Sequence, residues 1–339
     1  MRIGYSTWGF LGAGVLDTPD GSRAYRRPFI DELVRQGHQI ILLQANRDLL
    51  EAGVDLSPAY VWEDGLPELD GLILEWRWPL PGRNTTRCGS IGHTCDLHRQ
   101  HELVANYTAA GTPTLVWDLD RQLPHDAEVR RQPNVAVGEF SLLPACGAVH
   151  LPCPVPDDLL DGADPARLAR KERSTPLVYV GNQYDRDDSL SRYFAPAAEV
   201  MPHRVAGKWP NTDPWPRITF TGRCRFDDVR VIHEDALATV LLLPERYART
   251  GHVTSRWFEA LLAGCLPLIP AEIHGAGHFG PHALLVSNGT DVVDKLSWLS
   301  LIAGTAEHAE LIAAALPYLE PFRCSNQAAR AASILKDLA

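Results

Sequence analysis

TGHVTSRWFEALLAGCLPLIP, residues 250–270, is the stretch on which the reading of this 339-residue chain turns. Thr254 or Ser255 can cap a helix predicted over 255–263, with Arg256 and Glu259 near its first turns. Gly264 ends that helix, and the uninterrupted apolar run after it predicts a buried strand over 266–269. A helix start offers free N–H groups and a positive dipole end, and an adjacent arginine adds a fork for phosphate oxygens. The junction therefore suits a diphosphate, with Glu259 placed to accept hydrogen bonds from ribose hydroxyls. Spacing alone fits an ordinary amphipathic helix with solvated Arg256 and Glu259 equally well.

The same strand and helix alternation extends outward. Before the junction, periodicity predicts strands at 177–180, 203–205, 218–220 and 239–243, with helices at 189–200 and 227–234. At the N-terminus a strand ends near Tyr5, a glycine-rich loop follows, and a helix starts near Ser22. Phe29, Ile30, Leu33 and Val34 recur on that helix at helical spacing, Gly37 closes it, and QIILLQ from Gln39 is the next strand. Strands at 71–75 and 113–117 flank a helix over 95–110. Such alternation predicts an α/β chain with parallel, doubly wound sheets. LPCPVP, 151–156, has three prolines in six residues and reads as an extended crossover rather than a core element. It divides the chain into domains 1–156 and 157–325, with a last helix in 326–339 expected to pack back on the first domain.

Composition narrows the function classes. At 45% hydrophobic and 22% charged the chain is globular and long enough for two cores. No apolar run approaches a membrane span and no basic-plus-apolar leader opens the sequence, so a cytoplasmic protein is expected. Seven thinly spread cysteines, an odd number, read as reduced thiols. A net charge of −10 argues against a generalised nucleic-acid binder, although only four of the 32 basic residues are lysine and the rest are arginine.

Arg-x-x-Glu-Ala-Leu-x-Ala-Gly-x-Leu-Pro-Leu-Ile, present from Arg256 to Ile269, resembles the nucleotide-sugar-binding signature of GT-B glycosyltransferases. The preceding Tyr247, Gly251, Thr254 and Arg256 are similar to the run found in the branch related to spore-maturation glycosyltransferases. VGN at 180–182, AGKW at 206–209 and FTGRC at 220–224 follow in the order of that family. The resemblance covers about 175–275 well and the N-terminal half only by architecture. It implies two Rossmann-like domains with an interdomain cleft, and transfer of a sugar from a nucleoside-diphosphate sugar to an acceptor hydroxyl. It further implies that Glu259 contacts ribose, that Thr254, Ser255 and Arg256 meet the phosphates, and that Gly181 and Asn182 approach the nucleotide. Arg186, Lys208 and Arg223 join these donor candidates because each follows a predicted strand end. Many retaining members carry a glutamate eight positions before the one matched by Glu259; here that position is Gly251, and His252 is the candidate to replace it.

The N-terminal half is expected to bind the acceptor. GFLGAG, 9–14, has glycines in the wrong pattern for a dinucleotide fingerprint, so NAD is not expected, but Gly12 is placed for close approach of the donor phosphate or the acceptor. Asp17, Asp20 and Glu75 are candidate bases for an acceptor hydroxyl, each equally readable as a turn carboxylate. Trp76, Arg77 and Arg83 are candidate acceptor contacts. The acceptor classes are small natural products, glycans and a flipped-out hydroxymethylated DNA base; for the last, residues 1–150 carry 13 arginines against 19 carboxylates, which is unfavourable. Cys88, His93, Cys95, His98 and His101 are zinc-binding types, and His98 with His101 or Glu102 would share a helical face. Their spacing matches no standard finger or metalloprotease motif, so the histidines read as solvated or acceptor-contacting and no metal or cofactor is assigned. A nucleotide-sugar 2-epimerase and a non-catalytic nucleotide-sugar-binding protein are the rival readings.

Overall fold

A computed structural model of the chain describes residues 1–12 and 21–339. The chain divides into two compact units. One holds Met1–Gly12, Arg26–Pro152 and Cys324–Ala339; the other holds Cys153–Arg323 with the described residues 21–25.

The first unit is built on a seven-stranded sheet, every pairing in it parallel. Its strands are β1 (Arg2–Ser6), β2 (Gln39–Leu42), β3 (Val61–Trp62), β4 (Gly71–Glu75), β5 (Thr114–Asp118), β6 (Val135–Glu139) and β7 (Ala148–His150), in the order β3-β2-β1-β4-β5-β6-β7. The central strands are apolar on both faces because helices cover both sides of a parallel sheet. Phe29, Ile30 and Leu33 of the helix Arg23–Arg35 are fully buried, whereas Val34, expected on the same face, is 49% exposed at the stripe's edge. Gly37, at φ 85, closes that helix where a side chain would be strained. The C-terminal helix Cys324–Asp337 also belongs to this unit; its Leu335 lies where a Cβ on Gly71 would meet it at 3.0 Å, so glycine there permits the contact.

The second unit carries a five-stranded parallel sheet in the order β12-β11-β10-β8-β9. The strands are β8 (Thr175–Val180), β9 (His203–Ala206), β10 (Ala236–Val240), β11 (Leu266–Pro270) and β12 (Leu285–Val286). Trp257 anchors the core beneath it, its indole N–H donating to Phe279 O at 2.7 Å and its ring packed on Phe279 and Phe322.

Four sequence expectations are corrected. LPCPVP is extended, but all six residues are buried and Val155 N–H donates to Phe322 O at 2.8 Å, so it is a core element of backbone. The strand expected at 218–220 reduces to a single bridge, Val205 to Phe220, because the Thr219 N–H donates to the His203 ring at 2.9 Å rather than to the backbone of a neighbouring strand. The strand expected at 239–243 is β10, starting three residues earlier, since its partner β8 begins opposite Ala236; Leu241 to Leu243 remain buried beyond it. The helix expected at 189–200 contains a π turn, Leu190–Phe194. Pro196 explains the widening: it lacks an N–H for the Arg192 carbonyl and its ring would clash with that carbonyl in a regular α-turn.

Candidate functional site

Open parallel sheets bind ligands beyond the carboxyl ends of their strands, at the point where the strand order reverses. In the second unit β8 leads to β9 on one side and β10 to β12 lie on the other, so that point falls between β8 and β10. The turn after β8 is Gly181 and Asn182, and the turn after β9 is Gly207 and Lys208. These two turns are in backbone contact: a Cβ on Gly207, at φ 140, would sit 1.9 Å from Gly181 O. Asn182 Oδ1 accepts the Lys208 N–H at 2.8 Å, and the Trp209 indole donates to Gly181 O at 2.8 Å. Gly207 is required for backbone to pack on backbone, and a Cβ on Gly181 would meet Tyr179 Oη at 2.5 Å.

Arg186 spans the reversal point. Its guanidinium donates to Leu242 O at 3.0 Å beyond β10, and to Asn182 O and Tyr184 O beyond β8. Among the described residues no carboxylate pairs with it. Tyr179, at the end of β8, has its phenol raised above the usual range by burial, opposed by the positive charges of Arg186 and Arg256 and by a hydrogen bond from Arg186. Two guanidinium charges therefore act on one buried phenol, a region of positive potential at the strand ends. Arg256 opens the helix Arg256–Leu262 and pairs with Glu259 one turn on. The serine expected to cap this helix does not: Ser255 has helical dihedrals, makes no capping bond, and its hydroxyl donates to Gly21 O at 3.2 Å. Thr254 uses its carbonyl to accept the Trp257 N–H at 3.1 Å. Lys208 and Arg223 are exposed. A groove of about 470 Å³ beside Lys208 is lined by Asp185, Asp187 and Asp188, carboxylates that repel a diphosphate.

His252, the candidate to replace the missing glutamate, has no accessible surface and stacks on Tyr247 with ring centroids 3.9 Å apart, so it packs in the core. Gly12, expected to approach a phosphate, instead donates its N–H to Asp48 Oδ1 at 2.8 Å, and Leu11 N–H takes the other oxygen at 3.0 Å. Asp17 and Asp20 lie outside the described residues.

In the first unit the strand order reverses between β1 and β4. Glu75, at the end of β4, is 6% exposed in its side chain. It accepts from Arg26 Nε at 2.7 Å and Nη2 at 2.8 Å, from Tyr5 Oη at 2.8 Å and from Thr7 Oγ1 at 2.7 Å. Both oxygens are saturated, so Glu75 is a structural anion rather than a free base. Beyond it Trp76 packs against the core, and Arg77 pairs with the buried Asp96 at 2.9 Å. Arg83 is half-buried, and burial followed by the nearby charges of Arg77 and Arg47 lowers its pKa. Its guanidinium has no hydrogen-bond or ion-pair partner among the described residues. Residue spacing gave no sign of Arg47, which shares this arginine cluster from the helix Arg47–Ala52 after β2. Cys88, His93, Cys95 and His98 converge nearby in sequence, whereas His101 is not among them.

Two doubly wound parallel sheets on one chain are the GT-B architecture of nucleotide-sugar glycosyltransferases. The chain is similar in fold to solved structures of that class. T4 phage β-glucosyltransferase, a DNA-modifying enzyme with uridine diphosphoglucose as substrate, matches at TM-score 0.61 and 12% identity over 99% of each chain. AviGT4, a glycosyltransferase involved in avilamycin A biosynthesis, matches at 0.60 and 15% identity over 99% of this chain and 97% of that one. HepE of Anabaena, solved with UDP-glucose, matches at 0.55 and 11% identity over 99% and 100%. No family model and no curated protein sequence matches the chain. At these identities the likeness is one of fold.

Proposed function

We propose that the chain is a cytoplasmic glycosyltransferase of the spore-maturation-like branch. It performs a hexosyl or pentosyl transfer from a nucleoside-diphosphate sugar to an acceptor hydroxyl, without a cofactor. The observation that carries this reading is Arg186 bridging the reversal point of the second sheet, from Leu242 O to Asn182 O, with the charge of Arg256 acting on the same Tyr179. A departing nucleoside diphosphate gains negative charge as the glycosidic bond breaks, and fixed cations at that position lower the barrier. Donor binding exchanges the Arg256 to Glu259 pair for an arginine on phosphate and a carboxylate on ribose, with the Gly181 and Gly207 ledge under the nucleotide. The N-terminal unit holds the acceptor through Trp76, Arg77 and Arg83, and the unpartnered Arg83 suits an acceptor that carries an anionic group near its hydroxyl.

A thermal-shift screen of UDP-, GDP-, ADP- and TDP-sugars against wild type and Glu259→Ala tests the donor half, since a ligand that binds the folded state raises its apparent stability by mass action. One donor is expected to raise Tm in wild type and not in Glu259→Ala. No shift with any nucleotide in a folded protein overturns the reading. Arg83→Ala is expected to keep the donor shift and to raise KM for the acceptor; loss of the donor shift in that variant would remove the acceptor assignment.

A further inference from the structure

We propose that Cys88, His93, Cys95 and His98 form a structural zinc site, independent of the donor chemistry. Each offers one ligand atom, and these four atoms all lie within 4.8 Å of one another. Cys88 Sγ stands 3.2 Å from His98 Nδ1. A tetrahedron with Zn–S of about 2.3 Å and Zn–N of about 2.0 Å has edges of roughly 3.3–3.8 Å, so small side-chain adjustments close the cage.

The second observation is the state of His93. Its Nδ1 lies 3.1 Å from Thr86 Oγ1, and the Thr86 hydroxyl itself donates to Arg83 O at 3.0 Å. With the hydroxyl hydrogen committed to that carbonyl, the threonine oxygen accepts, which places the imidazole proton on Nδ1 and the lone pair on Nε2. That Nε2 is buried and has no hydrogen-bond partner. A histidine whose outer nitrogen is tied to a hydrogen-bond chain and whose inner nitrogen is bare is in the metal-ligating tautomer.

The backbone supplies a reason for such a site. Twenty residues, 76–95, join β4 to the helix Asp96–Ala109 without helix or strand. Asn84 clips the first half by accepting from Leu80 N–H and donating to Trp78 O, but the second half offers little apolar burial, and Ile91 is fully exposed. Ordering a long loop costs conformational entropy that some contact must offset. Turns at Gly89 (φ 82) and Gly92 (φ 76) fold Cys88 and His93 back toward Cys95, which is the N-cap of the helix, and His98 follows three residues later on its first turn. Two thiolates and two neutral imidazoles neutralise a divalent ion, and four protein ligands leave no open position, as in structural rather than catalytic zinc sites. Binding releases the two thiol protons to solvent. The clamp also holds the segment that carries Arg77 and Arg83.

Metal analysis of the full-length protein, expressed with zinc and purified without chelator under reducing conditions, tests this. One zinc per chain is expected, with tetrahedral thiolate bands on Co²⁺ substitution. Both are expected to vanish in Cys88→Ser and in His98→Ala and to persist in Cys146→Ser, an exposed thiol elsewhere. Because a ligand variant can misfold, wild type treated with EDTA supplies the second measurement: trypsin cleavage after Arg83 or Arg87 is expected to accelerate about tenfold and to slow again on adding Zn²⁺. Absence of zinc from the reduced wild type, zinc retained in Cys88→Ser, or a Cys88 to Cys95 disulfide in its place overturns the proposal.

Discussion

Glu75 accepts hydrogen bonds from Tyr5, Thr7 and Arg26, and a carboxylate so saturated has no lone pair with which to take a proton from an acceptor. Both members of the Arg26 and Glu75 pair are nearly inaccessible, at 3% and 6%. Removing one partner strands the other charge in a low-dielectric site, so Arg26→Met is expected to cost about 3–5 kcal/mol of stability. The double variant R26M/E75M, which strands no charge, should cost less than R26M alone, and urea unfolding of the two proteins decides the point. Glu259 differs from Glu75 in having Arg256 as its one side-chain donor among the described residues and a more accessible side chain, 13% exposed, which leaves it able to exchange that partner. The two glutamates look alike in sequence, and their chemistry is separated by the number of donors that the fold aims at each.

The turns after β8 and β9 behave as one element. Gly207 holds a dihedral that only glycine adopts freely, and the space where its side chain would stand is filled by the Gly181 carbonyl. Gly207→Ala therefore has to separate the two turns, and a loss of about 1–3 kcal/mol is expected, with donor-induced thermal shift reduced alongside. A variant as stable as wild type with an unchanged donor shift would show that the ledge tolerates opening. At this scale the sequence was informative: strands β1, β2, β4, β5, β8, β9 and β11 and the helices around them follow from periodicity and glycine stops, which are local properties. β3, β6, β7 and β12 were missed. Two-residue β3 and β12 are too short to carry a period, and β6 (VAVGE) and β7 (AVH) have partners, but no alternation, to mark them.

Folded stability of the whole molecule is expected to depend on pH through His233. This imidazole is buried in the second unit, and burial, then the charge of Arg256, push its pKa down from 6.5 to about 3. The unfolded chain binds its proton below about pH 6.5 and the folded chain does not until about pH 3, so this contribution is complete above pH 6.5 and is lost as pH falls through that window, at up to about 1.4 kcal/mol per unit. Chemical denaturation at pH 7 and pH 5 should show the loss in wild type and a smaller one in His233→Leu; equal pH dependence in both would exclude His233 as its source. The amino-acid sequence by itself determined the parallel α/β class, most strands and helices, and the order of the motifs that resemble GT-B enzymes, because hydrophobic period and chain stops act over a few residues. Only the tertiary structure decided that Arg26 reaches Glu75, that Asp48 takes the Gly12 amide, that His252 is sealed against Tyr247, and that two cysteines and two histidines meet. Those partners lie too far apart in sequence, or in too irregular a spacing, for any local pattern to join them; they are brought together by the closure of each sheet and the path of a long loop.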